Sequence, residues 1–194
     1  MIVEHIIYSA AIAILIGMLY YTCSGRDYSW IIILCAWAPD VDGITNTILG
    51  KFGFTLLFEG HKIFHGAFHN VAMMVIFGII VAFLLHPFGI RFLDSLFFAI
   101  IGFGAHLFED ALVYKVGYPF LWPFSSRDLG WGLLPNIVSE ENYIRNFLGI
   151  ANFDVLIIGL LFLLAAILIR TYFEGFTWIR WYMPDKVYRA LFGS

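Results

Sequence analysis

Five apolar runs account for nearly half of the sequence, and the stretch Val71–Leu85 contains 15 residues without a single charge. A helix needs about 20 apolar residues to cross a hydrocarbon core about 30 Å thick. Four of the runs approach this length with their flanks, and the second is shorter: Ile6–Tyr21, Tyr28–Ala38, Ala67–Leu85, Phe92–Leu107 and Phe147–Ile169. The pattern predicts an all-α integral membrane bundle of about five helices, one of them short.

The charge content supports this fold class. Charged residues make up 13% of the 194 residues, about half of their share in an ordinary soluble domain. A net charge of -3 gives no basic field for nucleic acid, which we exclude as a partner. We predict one transmembrane metal-binding helical domain over residues 1–170. The tail, residues 171–194, alternates aromatic and basic residues, which is typical of a helix in the headgroup region.

Alternating the spans across the membrane brings the polar motifs to one face. We call the face with the N-terminus side A and the opposite face side B. Side A receives His5, the "PDVD" motif, three loop histidines and the "HLFED" motif. Side B has six Lys and Arg residues against five on side A, so the positive-inside rule favours a cytoplasmic side B and an extracytoplasmic site.

The "HLFED" and "PDVD" motifs both place carboxylates at the side A ends of apolar runs. His106 and Asp110 are four residues apart, so they project from one helix face and can share a metal ion. Asp40 and Asp42 follow Pro39, which stops a helix, and carboxylates at this spacing in a turn can bind or bridge cations. Each motif alone is equally consistent with a structural hydrogen-bonded pair or a helix-end signal.

Three histidines at intervals of four residues, His61, His65 and His69, precede the third apolar run. Their stripe drifts by about 40° per step on a helix. All three can therefore face one pocket without all binding one ion, and the remaining histidine can bind a second ion, orient a ligand or carry protons. We rank His65 first as a ligand, His61 second and His69 third. His5, at the top of the first span, adds another imidazole.

Imidazoles and carboxylates without a thiolate suit Zn(II), with Mn(II) or Fe(II) as alternatives, and do not suit an all-oxygen Mg or Ca site. One or two such ions would polarise a phosphoryl or carbonyl oxygen and lower the pKa of bound water to about 7. Asp42 and Glu109 are the candidate catalytic residues, and Glu109 could instead orient a ligand. Helix rise places Asp40 and His106 about 20 Å above side B, in a pocket that a lipid headgroup or lipid-linked substrate can reach.

Three further polar features have simpler interpretations beside functional ones. His86 reads as an ordinary interfacial histidine, and "WPFS" (Trp122–Ser125) reads as an interface anchor more readily than as part of a site. Asp154 lies inside the last apolar run, where an acid is a functional candidate; pairing with Asn152 or a neighbouring helix would explain it equally well.

The order of these motifs resembles the YdjM-like family of membrane-bound metal-dependent hydrolases over residues 5–125. More distantly, it is similar to the zinc-dependent phospholipase C and nuclease group. The resemblance implies an all-helical membrane enzyme with a metal centre, and the positions that match are His5, Asp40, Asp42, His61, His65, His106 and Asp110. The middle motif departs from the family pattern, because His61 is followed by Lys62 and the later histidine by Asn70, with an additional histidine between.

We therefore expect a hydrolase of the cell membrane that cleaves a phosphoester in a lipid or lipid-linked substrate by metal-activated water. The alternatives are a non-catalytic scaffold or regulatory protein with a structural metal, and a metal- or ion-handling protein. An ion path would need polar groups that continue to side B, and the lower halves of the spans offer almost none. The sequence leaves the headgroup, the bond and the oligomeric state open.

Overall fold

The computed structural model of the protein describes residues 2–58, 61–63, 65–115, 117–133 and 153–192. The regular structure of these residues consists of seven α-helices, one hairpin with two residues in each strand, and three 3₁₀ segments. In chain order they are α1 (Ile2–Ser24), α2 (Trp30–Leu34), a 3₁₀ turn (Pro39–Val41), α3 (Asp42–Gly50), β1 (Leu57–Phe58), β2 (His61–Lys62), α4 (Val71–Leu85), a 3₁₀ turn (His86–Phe88), α5 (Phe92–Val113), α6 (Phe153–Glu174), a 3₁₀ segment (Thr177–Tyr182) and α7 (Asp185–Phe192).

Four helices are long and apolar enough to cross a membrane: α1, α4 with its following 3₁₀ turn, α5 and α6. The 22 residues of α5 rise about 33 Å at 1.5 Å per residue, slightly more than the hydrocarbon thickness. The predicted all-α membrane bundle is therefore confirmed. Residues 147–152 of the predicted last span lie outside the described residues, and α6 begins at Phe153.

Helix α5 is the centre of the bundle. It packs against α1, α2 and α4, while the other face of α1 packs against α6. In the most apolar stretch of α5, 61% of the residues are buried. In the corresponding stretch of α4, the buried share is 11%. Residues such as Phe98 and Phe103 of α5 are almost fully buried. α5 is therefore largely enclosed by protein, whereas α4 lies at the edge of the bundle and faces lipid.

The second apolar run forms a shorter helix than the sequence predicts. The prediction was Tyr28–Ala38, but α2 covers Trp30–Leu34 and is followed by turns up to Pro39. Beyond Leu34 the backbone stays in the α region, but its hydrogen bonds tighten to a spacing of three residues, from Ala36 N–H to the Ile33 carbonyl and from Ala38 N–H to the Cys35 carbonyl. Pro39 has no N–H group with which to resume the α-helical pattern. Gly102 of α5 allows α2 to approach closely, since an added Cβ would lie 2.8 Å from the Ile32 carbonyl oxygen. The chain thus turns inside the bundle rather than crossing it.

At side B, a buried ion pair fastens α6 to the loop between α1 and α2. Arg170 Nη2 lies 2.7 Å from Asp27 Oδ2, and both side chains are fully buried. Arg170 also contacts Glu174 and the Tyr182 hydroxyl. Gly17 of α1 leaves room for the pair, because an added Cβ would collide with Asp27 and Arg170. Helix α6 continues past residue 170, where we place the end of the helical domain, and ends at Glu174.

The tail beyond α6 has two parts. In the 3₁₀ segment, Trp178 is buried in an apolar cluster with Ala11, Ile14 and Ala166 of α1 and α6. The final helix, α7, has no buried residue and carries Lys186 and Arg189 beside Val187 and Leu191. The first part belongs to the bundle, and the second has the amphipathic composition of an interfacial helix.

Replacing Arg170 with Met should destabilise the bundle, because it leaves the Asp27 carboxylate buried without its charge partner. Removing one partner of a buried ion pair typically costs about 3–5 kcal/mol. The double variant Arg170→Met/Asp27→Asn should recover much of this loss, since it removes the uncompensated charge. The measurement is the midpoint of thermal unfolding in detergent. The exposed Arg189→Met is the matched control, and equal midpoints for Arg170→Met and Arg189→Met would contradict a stabilising role for the pair.

Candidate metal centre

Seven of the eight predicted metal ligands meet at the side A end of the bundle. His5 lies in the first turns of α1, Asp40 in the 3₁₀ turn after α2, and Asp42 at the start of α3. His65 and His69 come from the loop before α4, and the two remaining residues, His106 and Asp110, come from the last three turns of α5. The backbone of His61 lies in β2, but its side chain is outside the described part of the structure.

The two acidic motifs supply the carboxylates at the centre of this cluster. His106 Nε2 lies 3.5 Å from Asp110 Oδ2, as the spacing of four residues on α5 predicts. Asp40 Oδ1 lies 3.6 Å from His106 Nε2 and 3.5 Å from His69 Nε2. His5 completes the group from α1, with its Nε2 3.9 Å from an oxygen of each aspartate. Residues from four segments therefore surround one point.

Three buried histidines of the cluster use the same ring nitrogen to hold their orientation. The Nδ1 atoms of His5, His69 and His106 lie 2.7, 3.3 and 2.7 Å from oxygens of Glu109, Asp42 and the Ala36 backbone. These oxygens are acceptors, so each Nδ1 carries the proton and donates. In the neutral imidazole, Nε2 then keeps a lone pair that either a metal ion or a second proton can take up. This is the arrangement in which an outer hydrogen bond fixes the tautomer of a metal-binding imidazole.

The Nε2 lone pairs point at carboxylate oxygens, which are also acceptors. Within the described residues, Nε2 of His69 and Nε2 of His106 are buried and have no hydrogen-bond partner. Both lie 3.3–3.6 Å from oxygens of Asp40 and Asp110. Acceptors facing each other in a buried site repel unless a proton or a cation lies between them. Ligands about 2.0–2.1 Å from one tetrahedral ion lie about 3.4 Å apart, so the spacing fits a transition metal.

Three sets of side chains could hold an ion: His5 with Asp40 and His106; Asp40 with His65 and His69; and His69 with His106 and Asp110. The sets share Asp40, His69 and His106, so the cluster accommodates one ion or two neighbouring ions with bridging residues. The electrostatics favour a cation here. Burial alone lowers the pKa of His69, but Asp110, Asp40 and Asp42 outweigh it and raise this pKa well above its ordinary value.

Asp42 organises the histidine loop. Its Oδ2 accepts hydrogen bonds from the backbone N–H groups of Gly66 and Phe68 at 2.8 and 3.0 Å. Its Oδ1 lies 3.2 Å from His65 Nδ1. Burial raises the pKa of Asp42, but the hydrogen bonds from His65, His69 and Phe68 outweigh burial and hold it below its usual range. We predict Asp42 as both a ligand and a catalytic residue. In the structure, both of its carboxylate oxygens accept hydrogen bonds from the histidine loop.

His65 and His69 differ sharply in environment. The His69 side chain is fully buried, whereas His65 is 27% exposed. His65 donates from Nδ1 to Asp42, and its Nε2 accepts a hydrogen bond from the Tyr118 hydroxyl at 3.1 Å. The Tyr118 ring also covers His69, with 4.3 Å between ring centroids. The geometry therefore favours His69 over His65 as a primary ligand, the reverse of the ranking from sequence.

Comparison with known proteins agrees with this motif arrangement. The model of a family described as the YdjM inner membrane protein matches residues 1–181. The chain belongs to the YdjM family. This confirms the resemblance inferred from the motifs and supports a membrane location. No curated protein and no solved structure matches the chain significantly.

Two polar residues of this YdjM-family chain have roles that sequence reasoning left open or missed. Glu109 Oε2 accepts a hydrogen bond from His5 Nδ1 at 2.7 Å. Glu109 therefore holds the orientation of His5, which is the alternative that we considered to a role as a base. Tyr118 was not predicted, because it lies in a long loop without a metal-ligand pattern. No pattern in the sequence points to it, since its contact with the histidine loop appears only in the fold: Gly66 has a positive φ, and an added Cβ there would lie 2.6 Å from the Tyr118 ring.

The three other candidates are not among the side chains that form the cluster. His86 is exposed at the side B end of α4, with Nδ1 3.4 Å from the Ile90 carbonyl oxygen. Asp154 is exposed in the first turn of α6, and Asn152, considered as its partner, lies outside the described residues. In the "WPFS" loop, the Trp122 carbonyl accepts from Ala72 N–H, and the Phe120 carbonyl just before it accepts from Val71 N–H. These two carbonyls cap the start of α4.

Single substitutions at His5, His69 and His106 with Ala should each remove bound zinc. Loss of an outer-shell partner alone typically costs about 10–100-fold in metal affinity, so we expect at least about 100-fold for each of these residues. His65→Ala should cost less, because both of its nitrogens are engaged by Asp42 and Tyr118. The measurement is metal content by mass spectrometry after equilibration of the purified protein with zinc buffered by a chelator.

His86→Ala is the matched control, since this histidine is outside the cluster. Its metal content should equal that of the wild type, and all variants should elute as the wild type does in size-exclusion chromatography. A wild-type protein that retains no stoichiometric transition metal, or a His106→Ala variant that retains as much as the wild type, would contradict the metal centre.

Proposed function

We propose that the protein is a metal-dependent hydrolase that cleaves a phosphoester bond in a membrane lipid or lipid-linked substrate. The observation that carries the proposal is the convergence of three imidazole Nε2 atoms and two carboxylates at one membrane-facing end of a helical bundle. His5, His69, His106, Asp40 and Asp110 would hold one or two ions, with zinc the best match and manganese or iron the alternatives. When bound, the ion supplies Lewis-acid polarisation of a phosphoryl oxygen and a lowered pKa for water.

The donor set favours a catalytic site over a structural one. Structural zinc sites are closed by four protein ligands, commonly including cysteines, whereas catalytic sites leave a position for water or substrate. Cys23 is exposed in the last turn of α1, at side B, and Cys35 lies in the apolar core cluster of α2 and α5. The cluster therefore relies on histidine and aspartate, which suits hydrolytic chemistry.

The protein's own residues would position the metal ligands and exclude water from them. Asp42 fixes the histidine loop, Glu109 orients His5, and the Tyr118 ring shields His69 from water. His65 is the partly exposed histidine among the described cluster residues, so it is placed to exchange protons with a substrate at the mouth. In the overall reaction the oxygen of water bonds to phosphorus, the ester P–O bond breaks, and a proton passes to the leaving oxygen.

Turnover should be detectable with zinc-loaded protein reconstituted in vesicles that contain phosphatidylglycerol, phosphatidylethanolamine and a polyprenyl phosphate. Lipid mass spectrometry should show loss of one of these phosphoesters. His106→Ala and Asp110→Asn should reduce the rate by at least about 100-fold, in line with the loss of metal affinity, and His86→Ala should leave it unchanged. Stoichiometric zinc with no turnover on any of these lipids would instead support the alternative, a scaffold protein with a structural metal.

We further propose that the cluster faces the extracytoplasmic side, on the basis of the Lys and Arg distribution. Cys23 lies at side B and is exposed, while Cys35 is buried, so Cys23 is a native reporter of topology. A membrane-impermeant maleimide should leave Cys23 unlabelled in intact spheroplasts and label it after permeabilisation. In a Cys23→Ser background, Ser126→Cys in the exposed side A loop should show the reverse. Labelling of Cys23 in intact spheroplasts would overturn this orientation.

A further inference from the structure

An apolar groove with a volume of about 190 Å³ lies beside the metal cluster, between α4 and the turn that follows α2. One wall is a single face of α4, formed by Met73, Ile76, Phe77 and Ile80. The groove exists because α5 is the only described helix against which α4 packs extensively. The 3₁₀ turn after α2 therefore lies opposite α4 without filling the space between them.

The groove adjoins the metal cluster, because the segments that carry the metal-binding residues also line the groove. Val41 lines it and lies between Asp40 and Asp42, while Phe68 lines it and immediately precedes His69. Its floor includes Phe103, which lies one helical turn before His106 on α5. From Met73 to Ile80 the α4 wall extends about 10 Å from the side A end toward the middle of the membrane. A ligand along this wall has one end at the cluster.

The other long side of the groove opens to lipid. Ile76 and Ile80 are 49% and 50% exposed, and α4 is the least buried of the four spans. The volume is below the range of about 300–1,000 Å³ that encloses a whole small molecule. It therefore suits part of a ligand whose remainder stays in the bilayer. Every described residue that lines the groove is apolar, which suits a hydrocarbon chain.

We propose that this groove is the chain-binding part of the substrate site: a bilayer phospholipid enters sideways, lays one acyl chain along α4, and presents its phosphate to the cluster formed by Asp40, His69 and His106. This inference rests on the proposed hydrolase function and specifies its substrate class. Lipid chains are as apolar as the groove wall, so burial there adds little affinity. The effect of the groove is to hold the phosphate at a fixed depth and orientation.

The test uses the full-length protein in phosphatidylethanolamine and phosphatidylglycerol vesicles that contain a phospholipid with a photoactivatable diazirine in one acyl chain. After irradiation, peptide mapping should show several-fold more adducts at Ile76 and Ile80 than at Leu160 and Leu164 of α6. These leucines are 46% and 52% exposed, so general contact with lipid would label both pairs equally. Equal labelling would overturn the proposal. Excess adducts at Ile76 and Ile80 with a diazirine polyprenyl phosphate, but not with the phospholipid, would also overturn the proposal.

A pair of variants separates the groove from the lipid-facing surface around it. Ile80→Trp fills the groove and should abolish the excess adducts, while Ile79→Trp, next to it on α4 but outside the groove, should preserve them. Ile80→Trp should also slow hydrolysis of the long-chain phospholipid several-fold more than that of a water-soluble short-chain analogue. Equal effects of the two tryptophan variants would count against the groove.

Labelling is measured without turnover, so the two proposals fail in distinguishable ways. Excess adducts at Ile76 and Ile80 in a wild-type protein without hydrolysis would show a lipid site and overturn its role as a substrate site. Hydrolysis that requires His106, combined with uniform labelling, would support the proposed function and overturn the groove.

Discussion

The side A end of the bundle depends on one electrostatic constraint: imidazole nitrogens and carboxylate oxygens converge in a buried space. Donation from Nδ1 leaves Nε2 of His69 and His106 as acceptors, opposite the oxygens of Asp40 and Asp110. Such an arrangement is costly unless positive charge joins the acceptors. A divalent cation satisfies all of them together, and it would also tie α5 and the histidine loop to the turn after α2.

The same bundle has a second polar centre, and an apolar layer separates the two. At side B, Arg170 pairs with Asp27, and Arg26 pairs with Asp94 at 3.0 Å. Between the centres lies a core cluster that includes Ile31, Ile32, Cys35, Phe98 and Ala99, all buried. An ion that left the side A cluster would meet this layer of apolar side chains and would lose its ligands there. This favours a site that opens to one face over an ion path.

The sequence predicted the helices and the residues of the site better than it predicted the role of each residue within the site. Apolar run length and the spacing of His106 and Asp110 depend on local helix geometry, so both could be read directly. The roles of His65 and His69 depend on how the loop folds around Asp42 and beneath Tyr118, and no periodicity carries that information. The Arg170–Asp27 pair was also missed, because it joins residues 143 positions apart.

The position of the cluster argues for a lipid substrate more strongly than its ligands do. Imidazole and carboxylate sites serve many hydrolytic reactions, so the donor set alone selects a chemistry and not a substrate. Here, however, Val41 and Phe68 belong at once to the segments that carry Asp40 and His69 and to an apolar groove at the lipid-facing edge. A soluble phosphoester would use the polar mouth and leave the groove without a role. A phospholipid would use both, because its acyl chains begin close to its phosphate and run from there toward the middle of the bilayer.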